Sequence, residues 1–337
     1  MKKIPKILIV SLSMSLLLNA AATPASAKTA KTVTLGGQPF GVKFYNDGVI
    51  VVELECFESE GKTVCPAAEG GLKVNDVIKK IGDTDVKTNE DVARATCGSG
   101  GAPLRLTVER EGKELIKTVI PQKNCAGVYL TGAWVRDSCA GIGTVTYYDE
   151  EDGSFAALGH GICDKDTQAL LPLGSAEVVK ADISSVTKSS TGRAGCLNGY
   201  FSDKPLGDLT KNTNCGVFGT TDDNFSHDGM KLELAENGEI KVGKAEIYTT
   251  VEGEKAECFD AEITKLCGMG SRNNENFVIK VTDRRLIGKC GGIVQGMSGS
   301  PVVQNGKLAG AVTHVFLNDP CEGYGVTVQN MVSNYRS

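Results

Sequence analysis

The sequence predicts a mainly β protein: a small N-terminal β module followed by a larger β-barrel or sandwich domain. Three observations carry this expectation. Forty-one glycines against 10 prolines supply the many tight turns that short strands need. Residues alternate with a period of two in Leu104–Arg110, Glu114–Ile120 and Gly141–Tyr148, while helical periodicity is weak across residues 122–337. A length of 337 residues is long for one domain and natural for two. Charged residues at 23% and hydrophobic ones at 41% describe an ordinary globular core. The 36 basic and 41 acidic residues leave a net charge of −5, which disfavours nucleic-acid binding by bulk charge.

At the start of the chain, Lys2, Lys3 and Lys6 precede the apolar run Ile7–Leu18, and Ala25-Ser26-Ala27 follows. A cationic start, a short apolar stretch and a small-x-small site are the anatomy of a secretory signal, here residues 1–27 with cleavage after Ala27. The run from Ile7 to Ala22 is 16 residues with three serines inside it, short of the roughly 20 that span a bilayer, so a retained anchor is the alternative. Either way the working compartment is outside the cytoplasmic membrane, and membrane proximity is expected. Losing the three lysines makes the remainder more acidic still.

Twelve cysteines follow: Cys56, Cys65, Cys97, Cys125, Cys139, Cys163, Cys196, Cys215, Cys258, Cys267, Cys290 and Cys321. An even count in an exported chain suggests disulfides, with neighbours such as Cys56/Cys65, Cys125/Cys139, Cys196/Cys215 and Cys258/Cys267 able to close small loops. Buried free thiols are the rival reading, and spacing does not fix the pairing. No C-x-x-C occurs, which removes the main support for a zinc ribbon or a thioredoxin-like site. Neither a metal nor a cofactor is expected.

Residues 33–121 read as the first module. Val33–Phe44 and Val49–Leu54 are strand-like around an Asn46-Asp47-Gly48 turn, and a loop covers Glu58–Glu69. Thr88 with Asp91 caps a short helix over Glu90–Ala95. Leu104–Arg110 and Glu114–Ile120 form a hairpin about Glu111-Gly112. This order, with the Gly71–Ile81 stretch, resembles a PDZ domain. The resemblance implies that Phe40, Gly41 and Val42, in Pro39-Phe40-Gly41-Val42, form the loop that binds a peptide C-terminus. Asn75 stands where the family often has glycine, and asparagine tolerates a left-handed backbone.

Residues 122–337 carry the chemistry. Gly141–Tyr148 alternates, and Phe155–Leu158 runs into Gly159-His160-Gly161. Later strand candidates are Ile240–Val242, Ala245–Thr250, Asn276–Val281, Pro301–Gln304 and Leu308–Phe316. The three histidines are His160, His227 and His314. Glycines flank His160, where the backbone can turn and leave the imidazole accessible. In Gly296-Met297-Ser298-Gly299-Ser300-Pro301, small residues let successive N–H groups converge on an oxyanion, each such donor contributing about 2.7–4 kcal/mol to catalysis. A serine hydroxyl is a poor nucleophile near neutral pH and needs a base, for which imidazole is suited.

Gly159-His160-Gly161, Val281-Thr282-Asp283 and the stretch Gly291–Pro301 resemble the stage IV sporulation protein B peptidases, and Gly306–Gly325 continues the likeness. The resemblance implies a serine endopeptidase with Ser298 as nucleophile, His160 as general base and Asp283 as the orienting carboxylate. By analogy with chymotrypsin-like enzymes, the N–H groups of Gly296 and Ser298 are the oxyanion-hole candidates. Asp164 and Asp182 compete with Asp283, which lies only 15 residues before Ser298. His227 reads as loop surface and His314 as a buried hydrogen-bonding residue. Cys163 lacks a matching oxyanion turn.

The family further implies export into the space between forespore and mother-cell membranes, and a membrane-bound regulator as substrate. Cleavage of that regulator leads to activation of a late sigma factor. Self-cleavage near the N-terminus is also implied, with Lys28–Lys31 offering a flexible site. The rival functions are a non-catalytic exported scaffold carrying a PDZ module and a quality-control protease of the HtrA type. The latter usually places PDZ after the protease half.

Overall fold

The computed structural model describes residues 31–221, 229–268 and 274–336. The signal reading at residues 1–27 and His227 lie outside the described residues. Among these residues no helix is long and apolar enough to cross a membrane.

The chain opens with β1 (Thr32–Leu35) and the long β2 (Pro39–Leu54). A hairpin of β3 (Phe57–Ser59) and β4 (Lys62–Val64) is closed by the Cys56–Cys65 disulfide and leads into α1 (Pro66–Glu69). Then follow β5 (Val77–Ile81), β6 (Thr84–Asp85), α2 (Asn89–Gly98), β7 (Leu104–Arg110) and β8 (Lys113–Val119). With the second half of β2 these elements form the PDZ-like module, β5 pairing with β2, β6 and β7, and β7 with β8. Local chemistry explains most of it. Thr88 and Asp91 make a reciprocal capping box at the start of α2. Glu111 and Gly112, at φ of 52° and 72°, make the two-residue turn. Asn75 adopts a φ of 73°. Val51, Ile78, Val92, Val108 and Val119 form the module's core.

The short pair β9 (Gln122–Lys123) and β10 (Tyr129–Leu130) leads to β11 (Ala133–Asp149), β12 (Ser154–Ala157), β13 (Leu173–Thr187), β14 (Cys196–Thr213) and β15 (Gly216–Thr221). Strands β2, β11, β12, β15, β14 and β13 pair antiparallel in that order, and β13 returns to β2, closing a six-stranded barrel. Phe40, Phe44, Val145, Phe155 and Val178 fill it.

Beyond β16 (Lys231–Leu234) come β17 (Gly243–Thr249), β18 (Glu257–Leu266), β19 (Phe277–Val281) and α3 (Arg284–Cys290). The chain ends with β20 (Pro301–Gln304), β21 (Lys307–Val315), β22 (Glu322–Thr327) and α4 (Val328–Arg336). A second six-stranded ring closes in the order β17, β18, β19, β22, β21, β20 and back to β17. Ile247, Phe259, Ile263, Phe277 and Val302 fill this barrel. The seam between the rings is tied by β1, which pairs with both β11 and β16, and by Leu35, Tyr147, Phe218 and Met331.

Two sequence expectations fail in the same place. Asn46-Asp47-Gly48 does not reverse the chain: Gly48, at a φ of 101°, bends one continuous strand whose two halves both pair with β11. Phe40, Gly41 and Val42 therefore form no carboxylate-binding loop. They sit near the start of β2, with Gly41 opposite Ile142 on one side and Val179 on the other, and Phe40 is buried in the first barrel. A backbone paired on both edges has no N–H groups to offer a peptide terminus. It follows that β1 and the first half of β2 belong to the barrels, although they precede the module in the chain. Of the cysteines, Cys56–Cys65 is the disulfide that forms; Cys125, Cys139, Cys196, Cys258 and Cys267 are free thiols, so the other pairings considered do not form.

Candidate active site

His160 reaches the seam because β12 ends in two residues of left-handed backbone, Leu158 (φ 65°) and Gly159 (φ 67°). Glycine is required at 159, since a Cβ there would lie 2.9 Å from the Thr313 Cγ2. The half-buried imidazole lies 2.8 Å through Nδ1 from the Gly161 carbonyl oxygen and packs against His314, ring centroids 4.9 Å apart. A carbonyl only accepts, so Nδ1 carries the proton and the lone pair falls on Nε2. Burial, and then the neighbouring His314, push the imidazole pKa down to about 4. The ring is therefore neutral at neutral pH, as a base must be.

Ser298 lies in the loop between α3 and β20. First-barrel threonines grip this loop: Thr144 N–H donates to the Ser298 carbonyl (3.0 Å), Thr144 Oγ1 to the Gly296 carbonyl and Thr146 Oγ1 to the Gly299 carbonyl (both 2.8 Å). Gly299, at a φ of 94°, lies so close that a Cβ would sit 2.0 Å from the Thr144 oxygen. The Ser298 hydroxyl donates to the Thr313 carbonyl at 2.8 Å. Ser298 and His160 thus reach adjacent residues of β21, Ser298 bonding to Thr313 and His160 packing on His314. The N–H groups of Met297, Gly299 and Ser300 are taken by backbone carbonyls or, for Met297, by the loop itself, whereas those of Gly296 and Ser298 donate no hydrogen bond among the described residues.

Asp283 is elsewhere. It caps α3, accepting from Arg285 N–H at 2.8 Å, and its carboxylate pairs with the Arg285 guanidinium at 2.7 Å. That pairing, aided by backbone N–H groups, holds its pKa down at about 2. In this structure the expected orienting carboxylate is a helix cap on the second barrel, and the Gly161 carbonyl stands at His160 Nδ1. Nor do its rivals serve. Asp164 receives Arg136 and the N–H groups of Asp166 and Thr167, and Asp182 is exposed on β13. Burial and Asp164 raise the Cys163 thiol, which argues against a cysteine nucleophile. His314, expected to be buried, is exposed and stacks on His160. Thr144 and Thr146 gave no signal in the sequence beyond strand alternation.

Residues 127–332 match the SpoIVB peptidase S55 family. The chain belongs to that family. It is a serine peptidase, and residues 59–110 match a PDZ domain. A probable protease, eep, of Enterococcus faecalis is 43% identical over 58 residues, 17% of this chain and 14% of that protein, so the chain spans about a seventh of that relative. The Rv3671c protease of M. tuberculosis in its active form is similar at a TM-score of 0.37 and 14% identity, over 59% of this chain and 74% of that one. Deg5 is similar at 0.36 and 14%, over 57% and 81%. SpoIVB-family peptidase and PDZ-like module thus share one chain, with β2 and β11 common to both.

Proposed function

We propose that this SpoIVB-family peptidase is an exported signalling endopeptidase of endospore formation, which cuts a membrane-bound regulatory protein and its own N-terminal segment. Ser298 is the nucleophile and His160 the general base. After a rotation away from the Thr313 carbonyl, the Ser298 hydroxyl gives its proton to Nε2 and attacks the peptide carbonyl. His160 then returns the proton to the leaving amine. The N–H groups of Gly296 and Ser298 hold the oxyanion.

The observation that carries this reading is that Ser298 and His160, from the two barrels, reach adjacent residues of β21, Thr313 for the first and His314 for the second. The Cys56–Cys65 disulfide supports export to an oxidising compartment. The sporulation role rests on the family and on the signal-like start of the chain. Self-cleavage within Lys28–Lys31 would leave the barrel whole, since β1 begins at Thr32.

Purified protein should be labelled by a fluorophosphonate probe and should shorten itself near its N-terminus. Ser298→Ala should abolish both. Persistence of self-shortening in pure Ser298→Ala protein rejects the assignment, and absence of labelling in the wild type favours the scaffold reading.

A further inference from the structure

The Gly161 carbonyl that holds His160 Nδ1 is not a loose loop atom. It shares one rigid peptide unit with the Ile162 N–H. That N–H donates to Asn212 Oδ1 at 2.8 Å. The Asn212 amide nitrogen in turn donates to the Ile162 and Leu171 carbonyls, both at 2.9 Å. One side chain from β14 therefore grips the loop after His160 at three points. Its position is fixed by the strand that carries it, Asn212 lying opposite Val217 of β15. The same loop is tied from the other side, where Arg136 of β11 pairs with Asp164 and, at 2.6 Å, with Asp166.

We propose that Asn212 is a positioning residue for the peptidase reaction, acting on His160 through the Gly161–Ile162 peptide. The relay runs from Asn212 Oδ1 to the Ile162 N–H, through the peptide group, and from the Gly161 carbonyl to the Nδ1–H of His160. An N–H that is already donating makes the carbonyl of its own peptide a better acceptor. The arrangement does two things that a triad carboxylate does: it fixes the tautomer with the lone pair on Nε2, and it stabilises the imidazolium formed when Ser298 loses its proton. Being neutral, it does the second less strongly. The inference rests on His160 being the base, and it leaves Asp283 to its helix.

The groups around the ring define the test. His314 stacks on it, Cys163 Sγ lies 3.8 Å from the same Gly161 carbonyl, and Asp164 faces Cys163 and Arg136. Ring ¹⁵N spectra of the Ser298→Ala protein should show one His160 tautomer with Nδ1 protonated. Adding Asn212→Ala should mix the tautomers. In otherwise wild-type protein Asn212→Ala should lower kcat by about 10- to 100-fold with KM within about twofold, less than the roughly 10⁴-fold loss on disabling a triad carboxylate. Asn212→Asp keeps the acceptor and adds charge, so it should retain the tautomer and move the acid limb of the pH profile upward. Should Asn212→Ala fold poorly, the Ile162 amide resonance of Ser298→Ala protein is followed through the His160 titration, where it should shift at the same midpoint.

An unchanged tautomer and kcat in a folded Asn212→Ala protein, or an Ile162 amide blind to the titration, overturns the proposal. So does tautomer mixing caused by Asp283→Asn alone. Probe labelling that survives Ser298→Ala would instead remove the reading on which it rests.

Discussion

His160 carries its proton only at a pH well below that of an ordinary histidine, because burial disfavours the cation and His314 stands beside it. With the neutral ring as the proposed base, activity should be lost as pH falls through the folded-state pKa of about 4 rather than through 6.5. The acid limb of kcat/KM should therefore lie well below 6.5, and His314→Ala should move it upward by removing a neighbouring positive charge. A limb near 6.5 in both proteins contradicts the geometry around this ring. Stability follows the same sign. A depressed histidine pKa favours the folded state above 6.5, and that contribution is lost as pH falls toward 4. His160 and Ser298 stand out as candidates in the chain because a glycine-flanked histidine and the Gly-x-Ser-Gly turn are local signals. The partner of Nδ1 does not, since a backbone carbonyl leaves no trace in residue identity and Asn212 is 52 positions away from His160.

At the scale of elements, legibility follows how local the determinants are. The β7–β8 hairpin and α2 form where the sequence placed them, because a Glu-Gly turn and a Thr/Asp capping box act within a few residues. Asn46-Asp47-Gly48 has turn chemistry just as good, yet pairing with β11 on both sides of it overrides the local preference. The module's least local element is its ion pair. Arg110 on β7 donates from Nε and Nη2 to the fully buried carboxylate of Asp76, at 2.6 and 2.7 Å, and also to the Gly71 carbonyl. Removing the cation leaves a buried charge alone, which costs about 3 kcal/mol. Arg110→Met should thus lower the unfolding free energy obtained from urea titration by that much. A double Arg110→Met, Asp76→Leu protein should recover part of the loss. Equal stability of Arg110→Met and wild type would show that water, not the guanidinium, satisfies Asp76.

For the whole molecule, the decisive feature is that the first barrel is not a contiguous piece of chain, the module lying between its strands β2 and β11. The boundary expected between residues 121 and 122 follows composition and motif order, whereas closure of the first barrel depends on β2, which lies before the module. Closure of a ring by a strand about 80 residues from its partner is a three-dimensional fact that residue periodicity does not encode. The consequence is testable by truncation. A fragment of residues 122–337 lacks β1 and β2, and with them Phe40, Val42 and Phe44 from the barrel core and both pairings of β1 across the seam. Two edges, on β11 and β13, would be exposed, and unpaired edges of this length promote aggregation. The fragment should therefore be insoluble or unfolded by circular dichroism and unreactive to the fluorophosphonate probe. A chain that keeps residues 31–54 and joins them to residue 131 onward through a short flexible linker retains every barrel strand, and it should fold and label. If the bare 122–337 fragment labels as well as the full chain does, β2 is dispensable and the closed first barrel is not what holds Ser298 and His160 together.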